Sequence, residues 1–211
     1  MELIKLIMIC ILIMIGIKIN KCIIYTGLSK HNLYNIYCKL TGFIGIPIHE
    51  LSHMIMCGLT GTKINKFQLY DINTNRGFVK FINRGPKIIR HLQCTLSGIA
   101  PIIGGIFLCI MLRKLLIPNY NLNLLEQYVK TKEFWIYTFL TSSIIFNMDL
   151  SMSDLKNVLK GIYIPLIILV VLYIFDFNII NIINQNLIMM IKSLLTSFIV
   201  PCALMLLFII I

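Results

Sequence analysis

Apolar residues in this chain come in long runs, with the polar residues gathered between them. The first run, Met1 to Ile19, is broken by Lys5 and bordered by Lys18 and Lys21. Its length, and the lack of an A-x-A-like cleavage site after it, predict a retained membrane span. A second run covers about Tyr34 to Leu59 and ends in Gly58, Gly61 and Lys63. Thr60 to Arg90 is the longest polar segment. Within it, Lys66–Asp71 and Gly77–Ile82 alternate around Asn73-Thr74-Asn75-Arg76, which predicts a β-hairpin lying at the membrane surface. His91 to Leu116 is a third run, in which Ser97, Gly98, Gly104 and Gly105 allow close helix contact. Pro118 to Glu133 reads as a polar loop. Phe134 to Phe146 is too short to cross alone, since a span needs ~20 residues, and it runs into FNMDLSMSDLKN. This pattern predicts a fourth span that ends or breaks across Asn147 to Asp154. Two further runs, Ile162–Ile183 and Leu187–Ile211, predict a C-terminal hairpin of helices.

The expected fold is therefore an all-α polytopic membrane protein. It has about six transmembrane helices, with a short membrane-associated β-hairpin between spans 2 and 3. Three regions follow: residues 1–33 as an N-terminal helix and connector, 34–160 as a core, and 161–211 as a C-terminal transmembrane hairpin. No internal repeat is evident.

Composition agrees with a lipid environment. Of 211 residues, 58% are hydrophobic and 13% charged, and the mean hydropathy is +0.89. A soluble domain carries about 25% charged residues. The net charge of +11 sits in short loops between apolar runs, where it sets topology and meets anionic headgroups. No nucleic-acid reader motif is present, so nucleic acid is not an expected partner. Seven cysteines, an odd number with no C-x-x-C pair, argue against a disulfide framework or a cysteine zinc site. The Thr60–Arg90 loop carries seven lysines and arginines against Asp71 alone, which places it on the cytoplasmic side.

Candidate chemistry lies in the second run. IPIHELSHMIM places two histidines and a glutamate within five positions of a largely apolar run. His49-Glu50-Leu51-Ser52-His53 fits H-E-x-x-H. Residues four apart share a helical face, so His49 and His53 suit two zinc ligands. Glu50 on the flank is placed to hold a water and take its proton. With four histidines and four glutamates in the chain, chance supplies about 0.001 such matches. Ionisable residues at membrane depth are costly and mark function. A catalytic zinc usually takes three protein ligands. His31 and His91 lie near span ends, Cys57 suits a small apolar role, and Glu126, Glu133 and Asp176 fall towards the opposite side. Asp149 and Asp154 lie where an apolar helix is interrupted near the inner surface. A broken helix is tolerated there only against protein or a watery cavity. Asp154 is the expected third ligand, with Asp149 in reserve. Helix capping by Ser151 or Ser153 is compatible with that role.

The pairing of HELSHMIMCGLTGTKI with NMDLSMSDLKN resembles the intramembrane site-2 protease family of zinc metallopeptidases, in particular small bacterial members without a PDZ domain. The further counterparts are Gly61-Thr62-Lys63-Ile64, Gly77-Phe78-Val79 and Ile99-Ala100-Pro101-Ile102. The resemblance covers about Gly45 to Lys160. Asn147 stands where those members often have histidine, Leu150 where a classical motif has proline, and Asn157 in place of glycine. The resemblance implies one zinc ion per chain held by His49, His53 and Asp154, with Glu50 as general base and acid and Asn147 on the substrate. It implies a multi-pass protein of the bacterial cytoplasmic membrane, with its active site near the cytoplasmic side. The expected function is an integral-membrane zinc endopeptidase cleaving transmembrane or membrane-associated peptides. The alternative is a non-catalytic zinc-binding membrane protein that grips transmembrane helices. A metal transporter is disfavoured by the single broken helix and the lack of a repeat.

Overall fold

The computed structural model describes residues 34–118 and 125–174, together with residues 15, 16, 18, 19, 21, 22, 24–26, 28 and 29. The ordered elements are helix α1 (Tyr34–Thr60), strands β1 (Lys63–Asp71) and β2 (Arg76–Ile82), and helices α2 (Lys87–Leu116), α3 (Leu125–Val129), α4 (Lys132–Asn147), α5 (Met152–Gly161) and α6 (Tyr163–Ile174).

Helix α1 continues through Pro47 and closes on a glycine. Gly61 has φ +70°, its N–H bonds the Gly58 carbonyl, and the Thr62 N–H bonds the Cys57 carbonyl at 2.9 Å. A left-handed residue just past a helix satisfies the last carbonyls this way and turns the chain sharply. Here it sends the chain into β1. The two strands pair antiparallel around a turn over residues 72–75. In that turn the Asp71 carboxylate accepts the Asn73 N–H and the Thr74 hydroxyl, which hold its carboxyl below the usual carboxylate range. Asn75 takes a positive φ of 51°. Gln93 of α2 pins the base of the hairpin. Its side chain accepts the Arg84 N–H and donates to the Thr60 carbonyl, each at 2.9 Å.

The helices meet through small residues. A Cβ on Gly45 of α1 would strike the Ser143 carbonyl of α4. One on Gly104 of α2 would strike the Ser52 hydroxyl of α1, and one on Gly161 of α5 would strike the His91 carbonyl of α2. Buried Thr41, Ser52, Thr95, Ser97, Thr141 and Ser143 line these interfaces. The main apolar core is Cys109, Ile144, Ile145 and Met148, joined by Ile48, Ile102 and Ile106. Large apolar side chains point outwards: Leu59 and Leu115 are 77% exposed, Phe43 67% and Phe107 61%.

Gly98 sets the distance between α2 and α5. A Cβ there would lie 2.7 Å from Val158 Cγ2 and 2.8 Å from the Asp154 carbonyl oxygen. Gly98→Ala is expected to lower stability by roughly 1–3 kcal/mol through overpacking. Thermal unfolding in detergent measures it, with Gly58→Ala, which meets nothing within 4 Å, as the harmless control. Equal melting temperatures for the two variants would contradict this packing.

The six-span, all-α expectation is corrected. Among the described residues, one helix, α2, is long and apolar enough to cross a membrane, and a two-stranded sheet accompanies it. Helix α1 has 27 residues, but Lys39, His49, Glu50, Ser52 and His53 dilute its hydropathy. Helix α4 has 16 residues, short of the ~20 that a span needs. Helix α6 is described for 12 residues. A hydropathy run records that a helix avoids water; it does not record whether protein or lipid covers it. The expected sixth span, and the first span apart from residues 15, 16, 18 and 19, lie outside the described residues. The stretch expected as a polar loop contains the short helix α3 and the start of α4.

Candidate metal centre

His49 and His53 project from one face of α1. His53 reaches α2, where its Nδ1 stands 2.7 Å from the Ser97 carbonyl oxygen. His49 reaches the end of α4, with its Nδ1 2.8 Å from the Asn147 carbonyl oxygen. A carbonyl only accepts, so both imidazoles donate from Nδ1. This fixes the tautomer and leaves each Nε2 with a free lone pair. Those two Nε2 atoms face each other at 3.2 Å. Such an approach needs a cation or a shared proton between them. Metal-binding histidines characteristically donate their second nitrogen to a carbonyl or carboxylate in this way.

The chain brings Asp154 to the same point by breaking a helix. Helix α4 ends at Asn147, Met148 to Leu150 are irregular, and Ser151 starts α5 as its N-cap. The Ser151 hydroxyl accepts the Asp154 N–H at 3.2 Å, and Asp154 Oδ2 accepts the Ser151 N–H at 3.0 Å and the Ser151 hydroxyl. This reciprocal box holds the carboxylate by one oxygen. The other, Oδ1, lies 3.4 Å from His53 Nε2, while Oδ2 is 3.8 Å from His49 Nε2. Burial alone would raise the Asp154 carboxyl. The Ser151 hydroxyl that donates to it, and the two imidazoles beside it, outweigh this and keep the group below the usual carboxylate range. One side chain thus both caps α5 and belongs to the group that could hold a metal ion.

His49, His53 and Asp154 can hold a metal ion: one ligand atom from each lies within 4.8 Å of the others. His53 and Asp154 are buried and His49 nearly so. Glu50 is 7% exposed on the flank of this group. Gly77 of β2 lies over it, where a Cβ would come within 2.6 Å of Glu50 Cγ. Among the described residues, no hydrogen bond engages the Glu50 carboxylate.

The other candidates are elsewhere. Asp149 pairs with Lys21 at 3.7 Å, and that ammonium also stands over the Phe146 ring. Asp149 is therefore not in the ligand group. His91 meets the Tyr163 hydroxyl at 2.9 Å. The Cys57 thiol is buried against the Ser97 hydroxyl, 3.7 Å away. His31 and Asp176 lie outside the described residues, as does the side chain of Glu126. The Asn147 side-chain nitrogen donates to the Thr41 and Ser143 carbonyls, tying α1 to α4. Ser97 was not foreseen in a site role, because it acts through its carbonyl and any residue type carries one.

No family model, curated protein or solved structure matches the chain.

Proposed function

We propose that this protein is a membrane-embedded zinc endopeptidase of the site-2 protease type. It would cleave membrane-embedded or membrane-proximal peptides. The observation that carries this reading is the pair of imidazoles locked by main-chain carbonyls, with both Nε2 atoms and the Asp154 carboxylate converging beside an unengaged, buried Glu50. Two nitrogens and one carboxylate are a zinc donor set of the hydrolytic kind. Ligand atoms about 2.0–2.1 Å from a tetrahedral ion stand about 3.3 Å apart. The two imidazole nitrogens, 3.2 Å apart, match this spacing, and one carboxylate oxygen of Asp154 lies within 4.8 Å of both, close enough for rotation of the side chain to complete the set.

A bound zinc ion supplies Lewis acidity to a carbonyl and acidifies water. Glu50 accepts the proton of the attacking water and delivers it to the leaving amine as the C–N bond breaks. The Asn147 carbonyl keeps His49 in its ligating tautomer. Among the described residues the Asn147 side-chain oxygen accepts no hydrogen bond, so it is the atom free to take a substrate N–H. The membrane setting is supported by the outward Leu59, Phe43, Phe107 and Leu115, by hydroxyl-lined helix contacts, and by the apolar α2. The motifs that resemble site-2 proteases lie on the elements that build the site.

The test is zinc content and cleavage together, on the full chain in proteoliposomes with a transmembrane peptide. One zinc per chain is expected, with cleavage lost to a chelator and regained with zinc. No zinc after reconstitution would refute the metal centre. Stoichiometric zinc without cleavage of any membrane peptide would favour the non-catalytic helix binder.

A further inference from the structure

The hairpin covers the metal centre, and its attachment to the helices is uneven. Glu50 is 7% exposed, and Gly77 of β2 lies so close over it that a Cβ would not fit. His53 and Asp154 are buried as well. A peptide to be cut must bring its carbonyl to the ion and lie beside Glu50. With β2 seated, that place is taken.

The base of the hairpin is fixed. Gln93 bonds the Arg84 N–H at one end and the Thr60 carbonyl at the other. Each end also has a glycine at positive φ, Gly61 at +70° and Gly85 at +96°. Glycine moves between backbone regions at little steric cost, so these two positions can act as pivots. Beyond the base the hold is slight. No residue of β1 or β2 is fully buried, and a two-stranded sheet has little stability of its own. Among the described residues, the strands make one polar contact with α1, where the Tyr70 hydroxyl stands 3.5 Å from the Lys39 carbonyl oxygen. The same hydroxyl donates to Asn75 Oδ1 at 2.9 Å. Asn75 sits in the notch left by Gly42, where a Cβ would lie 3.2 Å from its Cγ. Phe43 meets the Tyr70 ring edge-on at 6.0 Å. The neighbouring Thr41 carbonyl accepts from the Asn147 side chain, so this tip contact closes beside the residue assigned to the substrate.

We infer that the β1–β2 hairpin is a lid. It turns about Gly61 and Gly85, and a latch of Tyr70 and Asn75 in the Gly42 notch holds it shut over Glu50. A peptide reaches the metal centre when the tip lifts from α1, since the tip is held by few bonds and the base by the Gln93 pair. Segments with shallow contacts open most readily. This inference rests on the peptide-cleaving function proposed above and adds the regulation of that site.

The test locks the latch in the full chain, in proteoliposomes with a transmembrane peptide. Gly42→Cys with Asn75→Cys brings two thiols within reach of a disulfide. Diamide forms it and a phosphine reopens it. The oxidised double variant should keep its zinc and lose cleavage, and reduction should restore the rate. Each single variant should not respond to diamide, which assigns the loss to the new bond. A cross-linked chain that cuts as fast as its reduced form would overturn the lid. Tyr70→Phe tests the latch without a new bond. Loss of one hydrogen bond raises the open population by about twofold to tenfold. Labelling of Glu50→Cys by a water-soluble maleimide, read by peptide mapping, should quicken by that factor when Tyr70→Phe is added. Equal labelling rates would refute the latch. The labelling needs neither zinc nor cleavage, so a failed lid and a failed metallopeptidase give different results.

Discussion

Asp154→Ala is expected to empty the metal centre. Apparent zinc-binding free energies of about 10–16 kcal/mol, shared among four ligands, make one ligand worth roughly 3 kcal/mol, or about 10²-fold in affinity. Metal analysis of the purified chain, followed by competition with a chelator, reads this loss. The variant also removes half of the capping box, so a control is needed. Ser151→Ala breaks the same box and leaves the Asp154 carboxylate in place. It should cost ~1 kcal/mol of stability and keep one zinc per chain. Asp149→Ala should also keep its zinc, because Asp149 faces Lys21 and not the histidines. Zinc lost with Asp149→Ala and retained with Asp154→Ala would move the third ligand and refute the arrangement at the broken helix.

Glu50→Gln is expected to keep the zinc and lose the chemistry. Glutamine preserves the volume under Gly77, so the packing of β2 on α1 survives. It cannot accept and return a proton. General-base catalysis is worth about 10²–10⁴-fold in rate, and cleavage of the membrane peptide should fall by that factor. Zinc content and melting temperature should stay at wild-type values. A variant that cuts at full rate would remove Glu50 from the mechanism. A variant that loses zinc as well would make Glu50 part of the metal support and leave the base unassigned.

Two members of the candidate metal group could be read from the sequence because they are local. A helix places residues four apart on one face whatever surrounds it, so H-E-x-x-H carried its own geometry. The hairpin was equally local, since alternation in Gly77–Ile82 and turn residues at 73–76 need no tertiary partner to be recognised. Asp154 was harder. It is 101 positions from His53, and only the interruption after Asn147, with Ser151 three residues ahead of an acid, marked it as special. The sequence favoured Asp154 with Asp149 in reserve, and the fold separates the two, because Asp149 faces Lys21 while Asp154 faces the histidines of α1.

What the sequence determined by itself, then, was the local chemistry: a histidine pair with its glutamate, a β-hairpin, and a helix break carrying an acid. Tertiary structure alone decided how many of the apolar runs are span-like. Among the described residues one helix, α2, is long and apolar enough to cross a membrane, because breaks and turns end the others on their own terms, α4 after 16 residues, and not where the apolar runs end. It also decided the tautomers of both histidines. These are set by the carbonyls of Ser97 and Asn147, main-chain groups that every residue carries and that no pattern of side chains can announce. Finally, it separated the two faces of the hairpin. Alternation predicts that two faces exist, but only the seat of Gly77 against Glu50 shows which faces the metal centre and which is left exposed with its cations.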